Sequence, residues 1–163
     1  MLELYIIRHG LAGIGLEDEA LDHARPLKKK GREQMKGIAK ALKQLNTSFD
    51  RVITSPLLRA KESAEIINKY CGTIKEVMVT DLLKPGASFE KMTKFLNELK
   101  HEKIAIVGHE PFLSGFASYC LSNSKSSFIK LKKGGVLMLE IDGVIKPEQC
   151  KLSWLMEPNH LIK

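Results

Sequence analysis

The sequence predicts an α/β fold: a three-layer sandwich with a mostly parallel central sheet flanked by helices, closed by a C-terminal hairpin. Three observations predict it. Short apolar runs lack alternation, stretches of helical period lie between them, and a strong turn signal sits near the end. Leu4 to Ile7, Val52-Ile53 and Ile104 to Val107 are apolar without a polar face, as in strands covered on both sides. Met35, Ile38, Ala39, Leu42 and Leu45 share one helical face, as do Ala60, Ala64, Ile67 and Cys71, and then Phe89, Met92, Leu96 and Leu99. Strand and helix therefore alternate, the signature of a parallel sheet. Val77 to Val79 adds a strand, and about Pro111 to Leu121 a helix. Val136 to Ile141 and Lys151 to Met156 flank Asp142-Gly143 as a hairpin.

The chain has 163 residues, 44% hydrophobic and 28% charged, which fits one globular domain over 1–163 with a full core. Collagen-like, disordered and disulfide-scaffold classes are excluded. No apolar run reaches the roughly 20 residues of a membrane span. The start, MLELYIIRHG, lacks the marks of a secretory leader, so a cytoplasmic protein with no membrane partner is expected. Cys71, Cys120 and Cys150 are odd in number and widely spaced, and are expected to be reduced packing residues rather than bridges or zinc ligands. A net charge of +7 favours an anionic partner or substrate. All but five of the basic residues are lysines, scattered with few aromatics between them, which fits a solvated surface better than a nucleic-acid footprint.

In open α/β sheets ligands bind at the carboxyl ends of the strands, so the polar residues after each apolar run are the candidates. The first run ends in Arg8-His9-Gly10. The second passes through Thr54-Ser55-Pro56 toward Arg59, and the third ends in Gly108-His109-Glu110. Ser55 is expected to cap the second helix with Pro56 at its first position, placing Arg59 near a helix N-terminus that favours an anion. Two arginines suit a phosphoryl group by bidentate, permanently charged donation. Two histidines titrating near neutrality supply a nucleophile or proton donor. His23, His101 and His160 have no such context.

These residues make the chain resemble the histidine phosphatase superfamily, the phosphoglycerate mutase-like group. The resemblance rests on Arg8-His9-Gly10, on Ser55-Pro56-Leu57 with Arg59-Ala60, and on Gly108-His109. The stretch Asp22-His23-Ala24-Arg25-Pro26-Leu27 leading to Gly31, with Gly108-His109-Glu110-Pro111, is similar to the SixA-type phosphohistidine phosphatases. The resemblance implies that His9 is the phosphorylated nucleophile and that Arg8, Arg59 and a protonated His109 surround the phosphoryl group. Arg25 is expected to be either a further substrate or phosphate contact or a surface salt bridge, and no metal or other cofactor is implied. Positive neighbours are expected to lower the His9 pKa and keep it neutral for attack.

The loop LAGIGLEDE and the segment DLLKPGASFE lack the asparagine and the acidic proton donor of the mutase branch. A neutral imidazole leaves without a strong acid, so a phosphohistidine substrate on a signalling protein, such as a histidine phosphotransfer domain, tolerates the gap. Asp18, Glu19, Asp81 and Glu110 remain candidate acids. The alternatives are a small-molecule phosphomonoesterase of the same superfamily and a non-catalytic basic α/β protein binding phosphate or nucleic acid. Lys28-Lys29-Lys30 stands where a helix should begin, an unfavourable end for positive charge, and fits either a solvated helix start or a dock for an acidic protein.

Overall fold

The computed structural model describes residues 1–162. Six strands form one sheet: β1 (Leu2–Arg8), β2 (Arg51–Thr54), β3 (Met78–Val79), β4 (Lys103–Gly108), β5 (Val136–Ile141) and β6 (Cys150–Met156). Their spatial order is β3-β2-β4-β1-β5-β6. The first four run parallel, and β5 and β6 extend the β1 edge antiparallel. The helices are α1 (Glu19–His23), α2 (Lys29–Gln44), α3 (Leu58–Cys71), α4 (Phe89–Leu99), α5 (Phe112–Ser122) and α6 (Pro158–Leu161).

Successive strand residues point to opposite faces, so each unalternating apolar run feeds two cores at once. Leu4, Ile6, Ile53, Ile104 and Ile106 meet Met92 and Leu96 of α4 and Phe112 and Phe116 of α5. Tyr5, Ile7, Val52, Ala105 and Val107 meet Met35, Ile38 and Leu42 of α2 and Ala64 and Ile67 of α3. The three layers follow from that division. Cys71, Cys120 and Cys150 are buried free thiols. Among the described residues no helix is long and apolar enough to cross a membrane.

Three local expectations need correction. Leu45 is the C-cap of α2 and is exposed, because the helix ends before its side chain turns inward. The β5–β6 link is not a two-residue turn at Asp142-Gly143 but runs through residues 142–149. It dips back so that Ile145 is buried and accepts a position fixed by Asn97, whose Oδ1 takes the Ile145 N–H at 2.8 Å. Ser55 does not cap α3, which starts at Leu58 after Leu57, although Arg59 still lies in its first turn.

Parallel pairing sets the level at which the strands end. Arg8 sits opposite Gly108, and Thr54 opposite Val107. The ladder runs one step further, with His9 N–H donating to the Gly108 carbonyl at 3.1 Å and Ser55 N–H to the Val107 carbonyl at 3.2 Å. His9, Ser55 and His109 thus emerge together.

The loop after His9 lies directly on α2. Lys28 N–H donates to the Leu11 carbonyl at 2.9 Å, and a Cβ on Gly31 would fall 2.0 Å from that same oxygen. The three nearest atoms are all Leu11 backbone, which has no rotamer to change, so Gly31→Ala should displace the loop. The expected cost is about 2 kcal/mol, or a melting temperature lower by about 4–8 °C, with loss of catalytic activity. Calorimetry and a phosphatase assay on the one variant check both halves.

Candidate active site

The structure brings Arg8, His9, Arg59 and His109 together at the carboxyl end of the sheet. His9 and His109 are 5% and 2% exposed, and their ring centroids lie 5.1 Å apart. Arg59 reaches the same place from the first turn of α3 and is 6% exposed.

His9 Nδ1 lies 2.7 Å from the Gly10 carbonyl. A carbonyl only accepts, so Nδ1 carries the proton and the Nε2 lone pair is left for chemistry. Gly10 is itself held by its N–H, which donates to Ser63 Oγ at 3.1 Å, while Ser63 donates to the Arg59 carbonyl. The nucleophile candidate and the arginine therefore share one anchor.

Ser55 Oγ lies 2.6 Å from His109 Nε2 and accepts the Leu57 N–H at 3.2 Å. A hydroxyl that donates to Nε2 leaves the His109 proton on Nδ1. Among the described residues, four buried side-chain nitrogens have no hydrogen-bond partner: Arg8 Nε, Arg59 Nε, His109 Nδ1 and Arg51 Nε. Three of the four belong to the predicted site. Arg51 stands at the opposite end of β2.

Arg8 spends one donor on the Leu131 carbonyl at 2.9 Å. Arg59 is gripped by Asp22 twice: its Nη1 donates to the Asp22 carbonyl at 2.9 Å, and its Nη2 lies 3.4 Å from Oδ2. Asp22 also accepts from Arg25 Nε at 3.1 Å and from Leu16 N–H at 2.9 Å. The Leu16 bond, then Arg25 and Arg59, hold its carboxyl below the ordinary value. Arg25 is at the site's edge, but its guanidinium is already committed to Asp22 and to the Ala12 and Gly13 carbonyls. It braces the loop and Asp22.

Burial is the main cause that lowers both histidines, His9 to about 4 and His109 to about 3. Arg59 and Arg8 add to the effect at each. The expected neutrality of His9 stands, but desolvation outweighs the positive neighbours. The expected protonated His109 does not hold in the ligand-free site, because its ring is desolvated and faces His9 and two arginines. Arg8 and Arg59 are lowered by burial too, yet a guanidinium keeps its charge at neutral pH.

Of the candidate acids, Asp18 is exposed and caps α1, Glu19 is exposed beside His23, and Asp81 is exposed and paired with Lys84. None is tied to the histidine pair. Glu110 alone couples to the site, through its charge on Arg8, and its Oε1 accepts the Ser114 N–H at 2.8 Å. His23 lies beside Glu19, and His160 sits in α6. Lys28 is the N-cap of α2 without a side-chain cap, with Lys29 and Lys30 in the first turn, as the charge run implied.

Sequence reasoning missed Asp22, the Ser55–His109 contact, Ser63 and Lys133. Ser63 had a signal, standing four residues after Arg59 on one helix face. Asp22, three residues before Arg25, had one as well. Lys133 had none, since it arrives on the segment before β5, where burial and then Arg8, Arg25, Lys28 and Arg59 lower it. A cavity of about 440 Å³ opens beside Arg8, lined also by Leu11, Gln34, Lys132 and Lys133. A larger one of about 750 Å³ runs along α3 past Lys61 and Asn68 and touches none of the four site residues.

A strand-end pocket of this kind, with a buried histidine flanked by arginines, defines a phosphate-handling α/β enzyme. Residues 4–85 match the family model of the histidine phosphatase superfamily (branch 1), a span that holds Arg8, His9 and Arg59. The chain belongs to that superfamily and is a phosphatase of that kind. An uncharacterised protein of Picosynechococcus is 34% identical over 141 residues, covering 85% of this chain and 84% of the relative. The phosphohistidine phosphatase SixA of Escherichia coli is 28% identical over 115 residues, covering 69% of this chain and 70% of the relative. The structure of the protein histidine phosphatase SixA complexed with tungstate superposes with a TM-score of 0.83 at 22% identity, over 98% of this chain and 99% of that one. The fold is therefore phosphoglycerate mutase-like.

The two depressed histidines make stability depend on pH with a definite sign. A histidine ordinarily titrates near 6.5, so between about pH 6.5 and pH 4 the unfolded chain takes up protons that the folded site refuses. Stability is full above 6.5 and falls as the solution is acidified through that window, by on the order of 2 kcal/mol per histidine at pH 5. The melting temperature of the ligand-free protein should drop between pH 7 and pH 5. His9→Gln and His109→Gln should each flatten the drop, and a melting temperature constant over that interval would oppose the assignment.

Proposed function

We propose that the protein hydrolyses phosphohistidine on a signalling or phosphorelay protein through a phospho-His9 intermediate. One observation carries the reading: His9 is buried, neutral and fixed with Nδ1 toward the Gly10 carbonyl, amid three orphaned nitrogens of Arg8, Arg59 and His109. Buried polar atoms without partners cost free energy, and a phosphoryl group supplies acceptor oxygens to all three. The SixA relative and the SixA–tungstate structure support the same reading, since tungstate is a tetrahedral oxyanion.

In the first step His9 Nε2 forms a bond to phosphorus while the bond from phosphorus to the substrate imidazole breaks. Arg8 and Arg59 take the charge spread over the equatorial oxygens. The dianion also raises the pKa of His109, so that it gains its proton as substrate arrives rather than before. The substrate ring leaves as neutral imidazole when its distal nitrogen already carries a proton. In the second step water attacks phosphorus, the His9–phosphorus bond breaks, and inorganic phosphate departs. Positive charge for both steps comes from side chains, and the proposal requires no metal or other cofactor.

Among the described residues Asp18, Glu19 and Asp81 are exposed, Asp22 is held by Arg25 and Arg59, and Glu110 is turned to the α5 backbone with one oxygen. Rates should therefore fall steeply as the leaving group becomes more basic. Phosphate release from a phosphohistidine protein, from aryl phosphates and from alkyl phosphates gives log kcat/KM against leaving-group pKa. The expected slope is steeply negative, with alkyl and sugar phosphates scarcely cleaved. Efficient alkyl phosphate hydrolysis would instead favour the small-molecule phosphomonoesterase, with Glu110 as its acid.

A further inference from the structure

The loop between β1 and α2 carries three large apolar side chains in solvent: Ile14 at 88%, Leu16 at 50% and Leu21 at 61% exposure. Single exposed apolar residues are ordinary, but three within eight positions beside one site are not explained by the fold. They are also wired to that site. Leu16 N–H donates to Asp22 Oδ1, and a Cβ on Gly15 would lie 3.7 Å from the same oxygen. Asp22 in turn holds Arg25 and Arg59. The ledge is thus one residue away from the phosphate-binding arginine.

Basic side chains border it. Lys28 lies across the loop, with its Cε 3.0 Å from where a Gly13 Cβ would be, and Lys133 lines the cavity beside Arg8 and Leu11. Among the described residues neither lysine has an acidic partner within ion-pair distance, whereas Lys132 is paired with Glu157 at 3.0 Å. Asp22 joins the ledge to Arg59, so the occupant that best fits both is one that itself carries the phosphoryl group. A membrane fits the apolar and basic chemistry but would seal the site.

We propose that Ile14, Leu16 and Leu21, edged by Lys28 and Lys133, form the docking surface for a folded protein that presents phosphohistidine on an apolar face with carboxylates around it. The inference rests on the phosphohistidine reading above. An apolar centre with a charged rim is the usual build of such an interface, the centre supplying affinity and the rim steering approach. A small phosphate ester reaches arginine and histidine without touching the ledge, whereas a protein substrate gains affinity from it, which separates the two classes of substrate.

The test compares the wild type with an Ile14→Ser, Leu16→Ser, Leu21→Gln triple variant, on a histidine phosphotransfer domain charged with phosphoramidate and on p-nitrophenyl phosphate. All three positions are exposed and outside the pocket. The expected result is a fall of about tenfold or more in kcat/KM for the phosphoprotein, mostly through KM, with p-nitrophenyl phosphate within about twofold of wild type. An unchanged phosphoprotein rate overturns the docking surface, as does an equal loss on both substrates, which would mean a disturbed pocket. Loss of binding to phosphatidylglycerol vesicles with phosphoprotein turnover intact assigns the ledge to a membrane and also overturns it. A wild type that cleaves p-nitrophenyl phosphate but no phosphoprotein defeats the phosphohistidine reading itself, and this inference with it.

Discussion

The site depends first on the register of three parallel strands. Because Arg8 lies opposite Gly108 and Thr54 opposite Val107, the chain leaves the sheet at one level in three places. His9, Ser55 and His109 are delivered there by backbone hydrogen bonds, without any long-range search by flexible loops. A one-residue slip would turn each side chain to the opposite face of the sheet. The two apolar cores resist such a slip, since every second residue of β1 and β4 is committed to a different helical layer.

On that frame the fold builds an unbalanced electrostatic site. Arg8 and Arg59 are charged, the first half-buried and the second buried, and the carboxylate that touches Arg59, Asp22, is shared with Arg25. The two histidines answer by staying neutral, chiefly through desolvation. An arriving dianion relieves the excess of positive charge and satisfies buried donors. Binding energy is thus directed at the group to be transferred rather than at the rest of the substrate. The proposed docking ledge lies outside the site, and Asp22 ties the two together through Leu16 N–H and Arg59.

Much of this is legible in the amino-acid sequence. Strand runs without alternation imply burial on both faces, and the residues that follow them are placed by the geometry of the sheet, so Arg8, His9, Arg59 and His109 could be named from spacing. Lys133 and the Ser55–His109 contact depend on how loops fold back, which neither periodicity nor propensity encodes. Ser55 reads locally as a helix cap, but its hydroxyl serves a histidine 54 positions away. Asp142-Gly143 reads as a tight hairpin, but the burial of Ile145 against the α4 and α5 layer draws the link into a longer loop. In both cases a tertiary contact outweighs a local preference.

Covalent catalysis by His9 is tested most directly by trapping its intermediate. The protein is mixed with a phosphohistidine or aryl phosphate substrate, quenched in alkali within the first turnovers, digested, and mapped by mass spectrometry. A base-stable, acid-labile phosphoryl group is expected on the peptide holding His9, formed as fast as product appears and absent from an inactive His9→Ala. Turnover by His9→Ala at a rate near wild type, or a phosphoryl group carried on another residue, would contradict it.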